Sequence, residues 1–286
     1  MTETADNATA PRRKHRARRW VIGVLVGVVV IVTGLGLVVW FWQRSLIYFP
    51  DRAAPAWPTG YSGEDISLTT DDGLTLSAWL VKPAGEDRHI GVLFLHGNGG
   101  NRAGRVNAAA EMSKLGYTVL LLDYRGYGGN PGSPTEAGLA SDARAGAAYL
   151  HEHGFPPDHT IYFGESLGTG VAIGLATTDE PAGIVLRSPF TSLADMARAQ
   201  YAWLPSWLVR DKYDTLGRIP TVTAPVSVLY GTADSDVPPA QSEQVAAAAA
   251  HLFTRGVIEG AKHNDGVWQG EYVARQVDAL AQGTVG

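Results

Sequence analysis

A serine hydroxyl becomes a nucleophile near neutral pH only when an imidazole takes its proton and a carboxylate steadies that imidazole. Three segments of this chain offer such a set: Ser166 in IYFGESLGTG, Asp234 in LYGTADSDVPP and His263 in EGAKHNDGVW. Residues Gly164-Glu165-Ser166-Leu167-Gly168 read G-x-S-x-G, a pattern that 34 glycines would yield by chance about 0.2 times, so its context decides. That context fits. TIYFG is strand-like and LGTGVAIGLA is helix-like, which puts Ser166 on a sharp turn where small residues at Gly164 and Gly168 keep strand and helix from colliding.

Of the eight histidines, His263 follows the last strand-like run, FTRGVIEG, and precedes the helix-like EYVARQVDAL, where a loop can carry it to Ser166. His15 lies in the N-terminal tail, and His151, His153, His159 and His251 read as solvated residues of helix ends and loops. Asp234 stands just past the strand VSVLY and is the expected acid. Asp236, two residues on, is the alternative, and either residue type is also common in turns. An oxyanion needs N–H donors, and the loop HGNGGN, between a buried strand and a helix, leaves its amides open. The N–H groups of Asn98 and Leu167 are the expected donors, with His96 structural. The loop lacks the Lys-Ser/Thr of a P-loop and the G-x-G-x-x-G pattern, so phosphate binding is not expected. The absence of cysteine excludes disulfides, thiolate catalysis and cysteine-ligated zinc. Histidines and carboxylates do not gather at ligand spacing, so neither a metal nor a cofactor is expected.

These residues need a frame. IGVLFLHG, YTVLLLDYRG, TIYFGES, AGIVLRSP and VSVLYG are short apolar runs separated mostly by helical patterns over 103–115, 136–152, 167–177 and 239–251. DISLTT and LSAWLVKP flank Asp71-Asp72-Gly73 as an antiparallel hairpin. The alternation predicts an α/β fold, a mostly parallel sheet flanked by helices, with its ligands beyond the carboxyl ends of the strands. Residues 191–219 read as a small cap whose Tyr201, Trp203, Leu204 and Trp207 are expected to line an apolar substrate pocket.

Trp20–Trp42 carries no charge over a length that spans a hydrocarbon core, and it shows no polar face. It is followed by bulky residues and Arg44 rather than a small-residue cleavage site, which favours a transmembrane anchor over a signal peptide. The expected organisation is a basic tail over 1–19, an anchor over 20–42, a juxtamembrane linker over 43–64 and a catalytic domain over 65–286. Six basic residues precede the apolar run and Arg44 alone follows closely, which predicts a cytoplasmic N-terminus and an extracytoplasmic domain at the cell membrane. Residues 45–286 are strongly acidic, which disfavours nucleic acid as a partner.

Together FLHGNGGN, LLDYRGYGGNPGSP, FGESLG, YGTADSDVP and GAKHND resemble the α/β-hydrolase superfamily over about residues 45–286, and an anchor followed by LIYFP is similar to its single-pass membrane-anchored serine hydrolases. The resemblance implies Ser166 as nucleophile, Asp234 as acid, His263 as base, and hydrolysis through an acyl-enzyme. Such relatives include lysophospholipases, carboxylesterases and depalmitoylases, so a hydrophobic or lipid-like ester or thioester is the expected substrate. A serine peptidase on the same triad and a non-catalytic membrane-tethered scaffold are the alternatives.

Overall fold

The computed structural model describes residues 10–201 and 205–285, with side chains from residue 18 onward. It comprises two units, Met1–Gln43 and Arg44–Gly286. The first is the helix α1 (Ala10–Trp42). Its apolar side chains, Val29 and Leu35 among them, are exposed, an arrangement that water penalises and a hydrocarbon layer does not. Among the described residues it is the one helix long and apolar enough to cross a membrane.

The second unit begins with the two-residue strand β1 (Phe49–Pro50), then β2 (Gly63–Thr69) and β3 (Thr75–Val81). Thr69 pairs with Thr75 across the expected hairpin, and Gly73 takes the left-handed φ of 87° that its turn requires. Next come β4 (Gly91–Leu95), β5 (Gly99–Gly100), α2 (Val106–Lys114), β6 (Thr118–Leu122) and α3 (Glu136–Glu152). The segment around Ser166 supplies β7 (Thr160–Glu165) and α4 (Leu167–Ala176), followed by β8 (Gly183–Arg187), α5 (Leu193–Gln200) and the short α6 (Thr215–Arg218). The chain closes with β9 (Val226–Gly231), α7 (Pro239–Ala248), β10 (Leu252–Ile258) and α8 (Glu271–Thr284).

Eight strands form one sheet in the order β10-β9-β8-β7-β4-β6-β3-β2, parallel except where β3 pairs with β2 and β6. Successive side chains of a strand point to opposite faces, so the unbroken apolar runs feed two cores. Leu93, Leu95, Tyr162 and Leu186 pack with α3, α4 and α7 on one face. Val92, Phe94, Phe163 and Val185 pack with α2 and α8 on the other. There the Phe94 and Phe163 rings lie 4.5 Å apart at a 39° tilt.

The compact unit starts at Arg44 rather than at residue 65. Phe49 and Pro50 pair with Gly99 and Gly100, so part of the segment read as a linker belongs to the fold. A two-residue strand has no periodicity to read, and its partner is remote in sequence.

Candidate active site

Ser166 closes β7 and opens α4 with φ 50° and ψ −115°, a strained backbone for a residue with a Cβ. The turn is possible because its neighbours are glycines. A Cβ on Gly164 would lie 2.7 Å from the Gly168 carbonyl oxygen, and one on Gly168 would collide with the Leu95 carbonyl. The bend lifts the Ser166 hydroxyl off the sheet and leaves Leu167 as the first residue of a helix, whose N–H has no intrahelical partner.

His263 arrives on the loop after β10. Its Nε2 is 3.1 Å from Ser166 Oγ and its Nδ1 is 2.8 Å from Asp234 Oδ2. A carboxylate only accepts, so Nδ1 carries the proton and Nε2 presents a lone pair to the serine. Asp234 is buried and takes further hydrogen bonds: Oδ1 accepts the N–H groups of Asp236 and Val237, and Oδ2 accepts the Ser188 hydroxyl. Burial raises its carboxyl, but the bonds from His263, Val237 and Ser188 outweigh that and hold it below the ordinary value. Asp236 instead points an oxygen 3.4 Å from Asn264 Nδ2.

The glycine loop lies against the serine. A Cβ on Gly97 would come within 3.4 Å of Ser166 Cβ and 3.1 Å of Glu165 Oε1, so this position lies tight against the serine turn. Asn98 lines the same cavity as Ser166 and His263. His96 is buried beneath the loop, with Nδ1 2.6 Å from the Gly97 carbonyl and Nε2 3.3 Å from Asp123, which also pairs with Arg102. His96 is not among the residues that line the cavity over Ser166.

Several positions around Ser166 escaped the sequence reading. Glu165 is the middle residue of Gly164-Glu165-Ser166, and its Oε1 receives Arg105 at 2.8 Å and Arg187 at 3.1 Å. Arg105 also donates to the Gly99 and Asn101 carbonyls of the glycine loop, while Arg187 donates to the His263 carbonyl at 2.7 Å. One carboxylate thus ties the serine turn, the glycine loop and the histidine loop. Burial by itself would raise its carboxyl, yet Arg105 and Arg187 hold it down at about 2. Ser188, at φ 51°, places its hydroxyl 2.9 Å from Asp234. A glutamate beside the serine was the only local signal for this network.

A cavity of about 750 Å³ opens over Ser166. Its apolar walls include Leu46, Phe49, Met196, Val237 and Trp268. The expected aromatic lining is corrected in part. Met196 and Gln200, four residues apart on α5, form the wall from that segment. Tyr201 lies past the end of α5 and is exposed, and Trp207 in the turn Ser206–Leu208 is 72% exposed; among the described residues neither lines the cavity. Trp203 and Leu204 lie outside the described residues.

A family profile for the alpha/beta hydrolase fold matches residues 91–218. The α/β hydrolase domain-containing protein WAV2 of Arabidopsis thaliana is 32% identical, the alignment covering 77% of this chain and 80% of that one. The lysophosphatidylserine lipase ABHD12 of Danio rerio is 28% identical over 79% of this chain and 70% of its own. Among solved structures, the esterase Pf2001 of Pyrococcus furiosus superposes with a TM-score of 0.66 at 21% identity, covering 84% of this chain and 98% of that chain.

Proposed function

The chain belongs to the α/β-hydrolase fold family, and from that premise we propose that it is a membrane-anchored serine hydrolase of carboxylic esters or thioesters. The observation that carries the reading is the relay from Asp234 through His263 to Ser166, at 2.8 and 3.1 Å. Ser166 Oγ attacks the carbonyl carbon while His263 Nε2 takes the hydroxyl proton. Asp234 accepts the Nδ1–H bond throughout and stabilises the imidazolium that forms. The N–H groups of Leu167 and Asn98 receive the oxyanion, each contributing on the order of 10²-fold or more in rate. Collapse of the tetrahedral species expels the alcohol or thiol, which leaves with the proton returned by His263. Water, activated by the same imidazole, then adds to the acyl-enzyme and releases the acid with Ser166 regenerated.

A hydrophobic, lipid-like acyl group is the favoured substrate. Leu46, Phe49, Met196 and Trp268 around the serine support it, as does the relative named for lysophosphatidylserine. The helix α1 serves as the anchor. The basic residues before its apolar run and the sparse charge just after it orient the catalytic unit outward.

The test is labelling of membranes carrying the protein with a fluorophosphonate. Labelling of the wild type that vanishes in Ser166→Ala supports an activated serine. A folded wild type that stays unlabelled overturns the proposal. For the acyl group, a p-nitrophenyl ester series should give kcat/KM rising with chain length, and a marked preference for acetate would sink the lipid-like reading.

A further inference from the structure

We propose that residues Arg44–Asp51 are a positioning element of the catalytic site as well as the connection to the apolar helix. The inference rests on the serine-hydrolase reading and adds a requirement to it: the segment just after the anchor holds the oxyanion loop in register.

The contacts converge on Asn98. Its side-chain Nδ2 donates to the Ile47 carbonyl at 2.7 Å, and its own carbonyl accepts Phe49 N–H at 2.9 Å and the Tyr127 hydroxyl at 2.8 Å. Asp51 N–H then donates to the Gly100 carbonyl at 3.0 Å, completing the short pairing of β1 with β5. Residue 98 is therefore gripped at its side chain and at its carbonyl by residues 47 and 49. That grip would fix the backbone of residue 98 and with it the aim of its N–H. An oxyanion donor acts only when aimed at the position the developing charge will occupy.

The segment is itself latched to the far side of the site. Arg44 makes a two-pronged bond to Asp211, Nε to Oδ2 at 2.9 Å and Nη2 to Oδ1 at 3.0 Å. The Tyr48 hydroxyl donates to Asp211 Oδ2 at 3.1 Å and stands 3.0 Å from the Tyr213 hydroxyl. Tyr48, Asp211 and Tyr213 are all buried. Tyr213 abuts α4, because a Cβ on Gly170 would meet its Cβ at 2.9 Å. The helix that starts at Ser166, residues 211 and 213 of the 191–219 segment and the residues after the apolar helix thus share one buried cluster. Leu46 and Phe49, from the same eight residues, form part of the cavity wall. A plain tether would need none of these bonds.

The experiment uses the full-length chain in detergent micelles and measures kcat and KM on a p-nitrophenyl ester, with a melting curve for every variant. Asn98→Ala keeps the backbone N–H and removes the side-chain bond to Ile47. It should lower kcat about ten- to a hundredfold with KM within about twofold and little change in the melting temperature, a fraction of a full donor's worth. Arg44→Ala and Asp211→Ala should each lower kcat, and the double variant should lose no more than the worse single one, as expected when two residues act as one latch. If the Arg44 variants fail to fold, Asn98→Ala decides alone. Wild-type kcat in a folded Asn98→Ala overturns the inference and leaves the hydrolase reading standing. A wild type with no esterase activity and no fluorophosphonate labelling takes both down.

Discussion

Replacing Glu165 by glutamine keeps the shape of the hub and removes its charge. In the folded chain the carboxylate sits between Arg105 at 2.8 Å and Arg187 at 3.1 Å, and its pKa falls from an ordinary 4.5 to about 2. At 1.36 kcal/mol per unit, that difference corresponds to about 3 kcal/mol of stability contributed by the ionised form. The same order is expected when one partner of a buried ion cluster is removed and the others stay unpaired. The group's folded pKa is depressed, so its contribution is fully present above the unfolded value and is lost as pH falls through the folded one. Glu165→Gln should therefore be less stable than wild type by about 3 kcal/mol near neutral pH, and the gap should shrink to about half of that by pH ~3.

Urea unfolding in detergent, followed by tryptophan fluorescence at a series of pH values, measures both quantities. A gap under about 1 kcal/mol at neutral pH, or a gap that does not change on acidification, would refute the argument that the two arginines hold this carboxylate ionised. Loss of the charge also frees Arg187, which donates to the His263 carbonyl. Fluorophosphonate labelling of the variant should therefore slow even where the protein is fully folded.

Four further substitutions probe three separate links. Asp234→Asn should slow fluorophosphonate labelling by about 10³-fold or more, because the amide no longer holds the Nδ1–H tautomer of His263, while Asp236→Asn should leave the rate close to wild type. Equal losses would reverse the assignment of the acid. Gly168→Ala drives a methyl into the Leu95 carbonyl and should cost more than about 3 kcal/mol or abolish folding; an unchanged urea midpoint would contradict the packing described at the turn. Phe94→Ala, opposite Phe163 in the core under α2 and α8, should lower stability by about 3–5 kcal/mol with the labelling of the surviving folded protein retained.

The legible parts of this protein were local. The apolar runs that became β4, β6, β7, β8 and β9 identify themselves because a strand buried on both faces has no polar side. The turn at Ser166 was readable for a related reason: glycines at positions 164 and 168 are demanded by contacts within a few residues of chain. The hairpin around Gly73 is likewise a matter of neighbouring residues. Family membership followed from the same short motifs.

What lay beyond local reading is carried by contacts between distant segments. The role of residues 44–51 rests on a two-residue strand paired with Gly99 and Gly100, too short to leave a pattern. The Glu165 hub joins arginines from the start of α2's approach and the end of β8, and a lone glutamate between Gly164 and Ser166 says nothing of either. The aromatic residues after α5 looked like pocket lining by composition, yet α5 turns Met196 and Gln200 to the cavity, and Trp207, in the turn Ser206–Leu208, is exposed. Residue types and chain order were enough to nominate Ser166, Asp234 and His263, because chemistry limits which side chains can share a proton. Bringing Ser166 within 3.1 Å of His263 across 97 residues of chain is the work of the sheet, whose burial offsets the entropy of closing so long a loop.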